Sequence, residues 1–93
     1  ENFLLASENF NSEPDIVLYP NPSDGKFYYT ANEFVKLPLE IEIYDSYGKL
    51  VSKKEFMKKH SLLNLQNSFD GLYTVLFKGH NFNLSKKIIV KLR

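Results

Sequence analysis

The segment Leu39-Glu40-Ile41-Glu42-Ile43, a strict alternation of apolar and charged residues, limits the possible fold more than any other. A period of two places Leu39, Ile41 and Ile43 on one face of a strand and both glutamates on the other, whereas a helix would scatter them around its axis. Six further runs share this strand character, rich in β-branched and aromatic residues: 16–19, 26–30, 50–56, 61–66, 72–78 and 83–92. Successive runs start 10 to 13 residues apart. That spacing suits an all-β antiparallel sandwich of about seven strands and is too short for strand–helix–strand units. Residues 49–60 (KLVSKKEFMKKH) also admit a short basic helix, but Val51 and Ser52, just after a glycine turn, favour a strand.

The connections carry turn chemistry. In Asp45-Ser46-Tyr47-Gly48 the glycine falls where a tight hairpin needs positive φ, which predicts that Gly48 tolerates no side chain. In Pro20-Asn21-Pro22-Ser23-Asp24-Gly25 the second proline keeps Asn21 out of the helical region, and Asp24-Gly25 turns the chain into the next strand. Asp70-Gly71 and residues 78–81 (KGHN) punctuate the last third.

A chain of 93 residues makes one domain and buries only about two-thirds of its unfolded surface, so the core needs bulk, which 8 Phe and 6 Tyr supply. The absence of Cys excludes disulfides and thiolate metal sites. No run approaches the roughly 18 apolar residues of a membrane span, and no membrane insertion is expected. The net charge of +1 conceals an uneven order: residues 1–48 sum to −7 and residues 49–93 to +8. Sandwich topology interleaves early and late strands, so most of this separation is expected to cancel in space. Residues 1–15, with an isolated Phe3-Leu4-Leu5 cluster and Glu-Asn-Phe at both 1–3 and 8–10, read as a linker or the remnant of a preceding domain, and residues 16–93 as the domain.

Candidates for catalysis are few. His60 and His80 each sit beside a turn without a second histidine at ligand spacing, and no nucleophile elbow, phosphate loop, dinucleotide fingerprint or calcium loop occurs. Glu40 and Glu42 face away from the apolar side of their strand and are expected to be solvated. These residues predict no enzymatic activity, no cofactor and no metal site. The lysines at 49, 53, 54, 58 and 59 suggest a nucleic-acid surface. An edge strand guarded by lysines against sheet-to-sheet association explains them better, and no nucleic-acid partner is expected.

Three ordered segments resemble the C-terminal sorting domain of the type IX secretion system of Bacteroidota: residues 17–27 (VLYPNPSDGKF), residues 41–51 (IEIYDSYGKLV), and Asp70-Gly71-Leu72-Tyr73-Thr74-Val75 leading to Lys86-Lys87-Ile88-Ile89-Val90-Lys91. The likeness covers residues 16–93 and departs from the family at Ser68-Phe69-Asp70, where Leu-Pro is common. The resemblance implies an immunoglobulin-like sandwich that acts as a non-enzymatic address. It would direct an N-terminal cargo domain through the periplasm to the cell surface or beyond. The implied partners are the type IX translocon, its shuttle proteins and a surface sortase that cuts upstream of Asp15. Within that frame Tyr19, Pro20, Asn21, Pro22, Gly25, Gly48, Gly71 and Tyr73 are motif and turn residues, with Tyr73 packing in the core beside Val75 and Phe77.

On the last strand Ile88, Val90 and Leu92 can face the core. Lys87, Ile89 and Lys91 then form a basic and apolar stripe for translocon contact, on an edge able to pair with a receptor. A strand covered on both faces would bury Ile89 as well, and the sequence leaves both arrangements open. The competing function is an immunoglobulin- or fibronectin-like adhesion or carbohydrate-binding module.

Overall fold

The computed structural model describes residues 13–80 and 82–92, in which every regular element is a strand. The strands are β1 (Ile16–Tyr19), β2 (Lys26–Ala31), β3 (Leu39–Tyr44), β4 (Leu50–Phe56), β5 (His60–Asn64), β6 (Gly71–Lys78) and β7 (Asn83–Val90). They form two antiparallel sheets, ordered β1-β2-β5 and β4-β3-β6-β7. This is an immunoglobulin-like β-sandwich, as the spacing and the resemblance predicted. Residues 50–56 are strand rather than helix, and β4 is an edge of the larger sheet.

Alternation decides which side chains meet between the sheets. Leu39, Ile41 and Ile43 of β3, Tyr73, Val75 and Phe77 of β6, and Ile88 and Val90 of β7 are all buried. They pack against Ile16, Phe27, Tyr29 and Leu63 of the smaller sheet. Each large apolar side chain so buried contributes about 1.5–3 kcal/mol. Tyr29 bridges the sheets, its ring edge-on to Phe56 at 5.5 Å and tilted against Phe77 at 6.0 Å. Its hydroxyl donates to the Lys58 carbonyl, and burial pushes its pKa up.

Antiparallel pairing sorts the connections to two ends. Residues 20–25, 45–49 and 65–70, together with the end of β7, gather at one end, where the Leu65 N–H donates to the Gly25 carbonyl (2.6 Å). Residues 32–38, 57–59 and the start of β1 lie at the other, where the Asn32 amide binds the Glu13 carbonyl (2.9 Å). Gly48 has φ +84°, but a Cβ there would meet nothing within 4 Å, so the demand on this position is conformational and not one of space. Asp45 completes that turn, its Oδ1 accepting the N–H groups of Tyr47 and Lys49, both at 2.9 Å.

Candidate recognition surface

Residues 86–90 (KKIIV) lie in β7, a strand with two unlike faces, and Lys91 follows it directly. Ile88 and Val90 point into the core, whereas Lys87, Ile89 and Lys91 project outward. Ile89 is 45% exposed, which decides the question the sequence left open. Opposite it on β6 lies Leu72, 44% exposed, so the two form an apolar cross-strand pair on the outer face. Lys87 sits two pairs further along, on the same face, its Nζ donating to Thr74 Oγ1 at 3.1 Å.

β7 is a sheet edge, and its outward backbone groups would normally be unpaired. The β1–β2 turn fills them. Asn21 Nδ2 donates to the Lys87 carbonyl (3.1 Å), and the Ile89 N–H donates to Asn21 Oδ1 (2.9 Å). The Ser23 N–H then donates to the Ile89 carbonyl and the Lys91 N–H to the Ser23 carbonyl, each at 2.8 Å, making a parallel bridge between Ser23 and Val90. Pro20 and Pro22 flank the asparagine, both following cis peptide bonds; neither carries an N–H to donate, and the bonds to β7 come from the Asn21 side chain and the Ser23 backbone. The expectation that the edge of β7 pairs with a receptor is therefore corrected: from Lys87 to Lys91 that edge is occupied, and only the side chains of the outer face are on offer.

Two other contacts hold this end. Asp70 Oδ1 accepts the Leu92 N–H at 2.7 Å, and the buried Tyr73 donates its hydroxyl to the Phe69 carbonyl four residues upstream, the tyrosine corner of Greek-key sandwiches. Gly25, at φ +106°, packs so closely that a Cβ would lie 2.8 Å from Gln66 Cγ and 2.9 Å from Leu92 Cδ2. Gly71, at φ +152°, opens β6 opposite Val90.

The motif residues are thus only partly gathered. Asn21 meets the stripe directly, while Pro20, Pro22, Gly25, Gly71 and Tyr73 shape the turns and core around it. Gly48 belongs to the β3–β4 turn. Tyr19 lies elsewhere, on the outer face of the smaller sheet, stacked on Tyr28 (ring centroids 5.8 Å apart) and hydrogen-bonded to Thr30 (3.0 Å). His60 joins that cluster, its Nδ1 2.8 Å from Thr30 Oγ1. The sequence reading missed Ser23, which is buried and whose Oγ donates to the Lys26 carbonyl and accepts the Gly25 N–H. It also missed Leu72; residues 72–78 are apolar on both faces and hide which side chain turns outward.

Glu42 needs a second correction. It was expected to be solvated with Glu40, yet it is buried on the outer face of the larger sheet, roofed by its neighbours. Its carboxylate accepts the Tyr44 hydroxyl (2.7 Å) and pairs with Lys78 (3.2 Å) and Lys53 (3.9 Å). The Tyr44 hydrogen bond, with Lys78 assisting, holds its pKa below the usual carboxylate range against the opposing effect of burial, and the same bond raises that of Tyr44.

The structure is thus an immunoglobulin-like sandwich whose Pro-Asn-Pro turn clamps the basic strand β7. The chain matches the family of secretion system C-terminal sorting domains over residues 17–91, and it belongs to that family. This is the type IX sorting domain, a family of export signals and not of enzymes, which implies a type IX system, an N-terminal cargo in the parent protein, and export to the cell surface or the extracellular space. A comparison with the curated proteins finds no match.

Proposed function

We propose that this chain is a non-enzymatic sorting signal, with residues 16–93 as the signal domain, read through the outward stripe of Lys87, Ile89 and Lys91. The observation that carries the reading is the double hydrogen bond from the Asn21 amide to the backbone of β7. It fixes the strand from which the three side chains project, so the opening motif serves to present the closing one. Cargo joined before residue 16 passes the periplasm, meets the translocon and its shuttle proteins, and is released when a surface sortase cuts in or before residues 1–15, a polar segment suited to protease access.

The test is a fluorescent protein carrying a periplasmic export signal and ending in this chain, expressed in a type IX-competent bacterium. The expected result is fluorescence at the cell surface or in the medium, with cleavage mapped upstream of Asp15 by mass spectrometry. The double change Lys87→Ala and Lys91→Ala should abolish export while altering stability by less than about 0.5 kcal/mol, since both side chains are exposed. Cargo retained in the periplasm by the unaltered signal would refute the proposal.

A further inference from the structure

Two asparagines make the same contact at opposite ends of the sandwich. Asn21 donates from Nδ2 to the Lys87 carbonyl and accepts the Ile89 N–H, so it brackets β7 at positions two residues apart. Asn32, the residue after β2, does the same to the segment that leads into β1. Its Nδ2 donates to the Glu13 carbonyl (2.9 Å) and its Oδ1 accepts the Asp15 N–H (3.2 Å). Pro14, between the two, has no N–H and adds no donor to the bracket. The Asn32 N–H donates in turn to the Asp15 carbonyl (2.9 Å), which continues the β1–β2 ladder one step past the Ile16–Ala31 pair. The Asp15 carboxylate accepts the Ile16 N–H (2.9 Å) and pairs with Lys86 (3.4 Å), so the same residue is tied to β7 as well.

Exposure alone would leave this entry open to attack. Glu13 and Asp15 are exposed and Pro14 is half-buried, and the chain first goes under cover at Ile16. A protease takes its substrate as an extended backbone freed from other partners, so hydrogen bonding decides which bonds it reaches. From the Glu13 carbonyl onward the backbone is held by Asn32. The ion pair with Lys86 is solvent-exposed and adds little.

We infer that Asn32 is a positioning residue that sets the C-terminal limit of processing: the peptide bond that is cut lies before Glu13, and residues 13–15 stay with the domain as its bracketed entry. This rests on the sorting-signal reading and narrows the segment that the reading assigns to the sortase. In the cut a backbone C–N bond breaks, the acyl group on the cargo side passes to water or another nucleophile, and the proton of that nucleophile goes to the nitrogen, which becomes the new amino terminus of the domain.

The experiment digests the purified chain with thermolysin, which cuts before large apolar residues, and maps the products by mass spectrometry. The first cuts are expected before Phe10 or an earlier apolar residue, with Ile16 and Val17 reached only slowly. Asn32→Ala should speed the cut before Ile16 about tenfold, the rise in open population that two lost hydrogen bonds produce, with cuts in the rest of the domain unchanged. Asn32→Asp separates the bracket from the turn. It keeps an acceptor for the Asp15 and Phe34 N–H groups and loses only the donor to Glu13, and it should speed the same cut about fivefold even if the alanine variant fails to fold. Four results would each overturn the inference: cleavage of the unaltered chain before Ile16 as fast as before Phe10, no cleavage at Phe10 or upstream, unchanged cleavage in both variants, or a uniform rise of cuts across the domain in both. In the fluorescent fusion, exported cargo whose released domain begins after Glu13 would overturn it and leave the sorting reading standing. Retention of the unaltered fusion in the periplasm would overturn the sorting reading, and the thermolysin digests would still decide the part played by Asn32.

Discussion

Replacing Asn21 by alanine tests the clamp that joins the first motif to the last strand. The side chain makes two hydrogen bonds to β7, one accepted and one donated, at 2.9 and 3.1 Å. A typical net contribution is about 0.5–1.5 kcal/mol each, and both bonds here are solvent-exposed, which places them in the lower half of that range. The loss should be about 1–2 kcal/mol, and for a domain of this size that lowers the melting temperature by roughly 4–15 °C. Asn21→Asp is the sharper probe. It keeps the acceptor for the Ile89 N–H but sets a carboxylate oxygen against the Lys87 carbonyl, so it should be no milder than alanine despite its matching shape. Thermal unfolding followed by circular dichroism gives the magnitude, and hydrogen exchange gives the place. The Ile89 amide, bonded to the side chain, should lose protection more than the Lys91 amide, which is bonded to the Ser23 carbonyl. A melting temperature within about 2 °C of the unaltered chain, with Ile89 still protected, would show that the Ser23 bridge alone holds the edge and would refute the assignment of Asn21 as the clamp.

Two further perturbations separate backbone from packing and charge from shape. Gly25→Ala should cost about 2–5 kcal/mol, combining positive φ with contacts under 3 Å to Gln66 and Leu92; Gly48→Ala, with open space around it, should cost only about 1–2 kcal/mol, and equal losses in denaturant titrations would contradict the packing argument. For Glu42 the folded pKa lies below the unfolded one, so its contribution is complete above the ordinary carboxylate range and disappears as pH falls through the folded value. Melting temperatures between about pH 7 and pH 3 should therefore decline less steeply for Glu42→Gln than for the unaltered chain, and parallel curves would disprove the coupling.

What the sequence made legible was what local chemistry alone controls. Alternation at Leu39 to Ile43 placed the core face of β3, and the glycine at 48 placed its hairpin. The stripe at Lys87, Ile89 and Lys91 followed from the same period of two. What stayed hidden depended on residues distant in the chain. Glu42 reads as solvated because, although Tyr44 shares its face two residues on, nothing nearby in sequence announces that Lys53 and Lys78 will close over it as well. The blocked edge of β7 was equally invisible, since the asparagine that blocks it lies 68 residues before Ile89. That Tyr47 and Phe69 line one cleft follows only from the meeting of the β3–β4 hairpin turn and the loop crossing from β5 to β6 at one end of the sandwich.

The uneven charge order along the chain is resolved in part by topology, and the unresolved part is informative. Every ion pair among the described residues joins an acid from the first half to a lysine from the second: Glu40 and Glu42 with Lys53, Glu42 with Lys78, and Asp15 with Lys86. Sheet neighbours make this inevitable, because β3 lies between β4 and β6, and both bring lysines to the outer face that carries its glutamates. Among the lysines left over, two sets differ in physical meaning. Lys54 on β4 projects toward the core side of an open sheet edge, lining a cleft with Ser52, Phe56 and Leu63, and a charge there opposes pairing with another strand. Lys87 and Lys91 instead flank an exposed apolar pair on an edge already closed by Asn21 and Ser23, where protection against strand pairing is not required. An unpaired cation with no edge to guard and apolar surface beside it is better placed for a partner than for solubility. That contrast supports the proposed reading of β7 as the recognition strand and of β4 as a guarded edge.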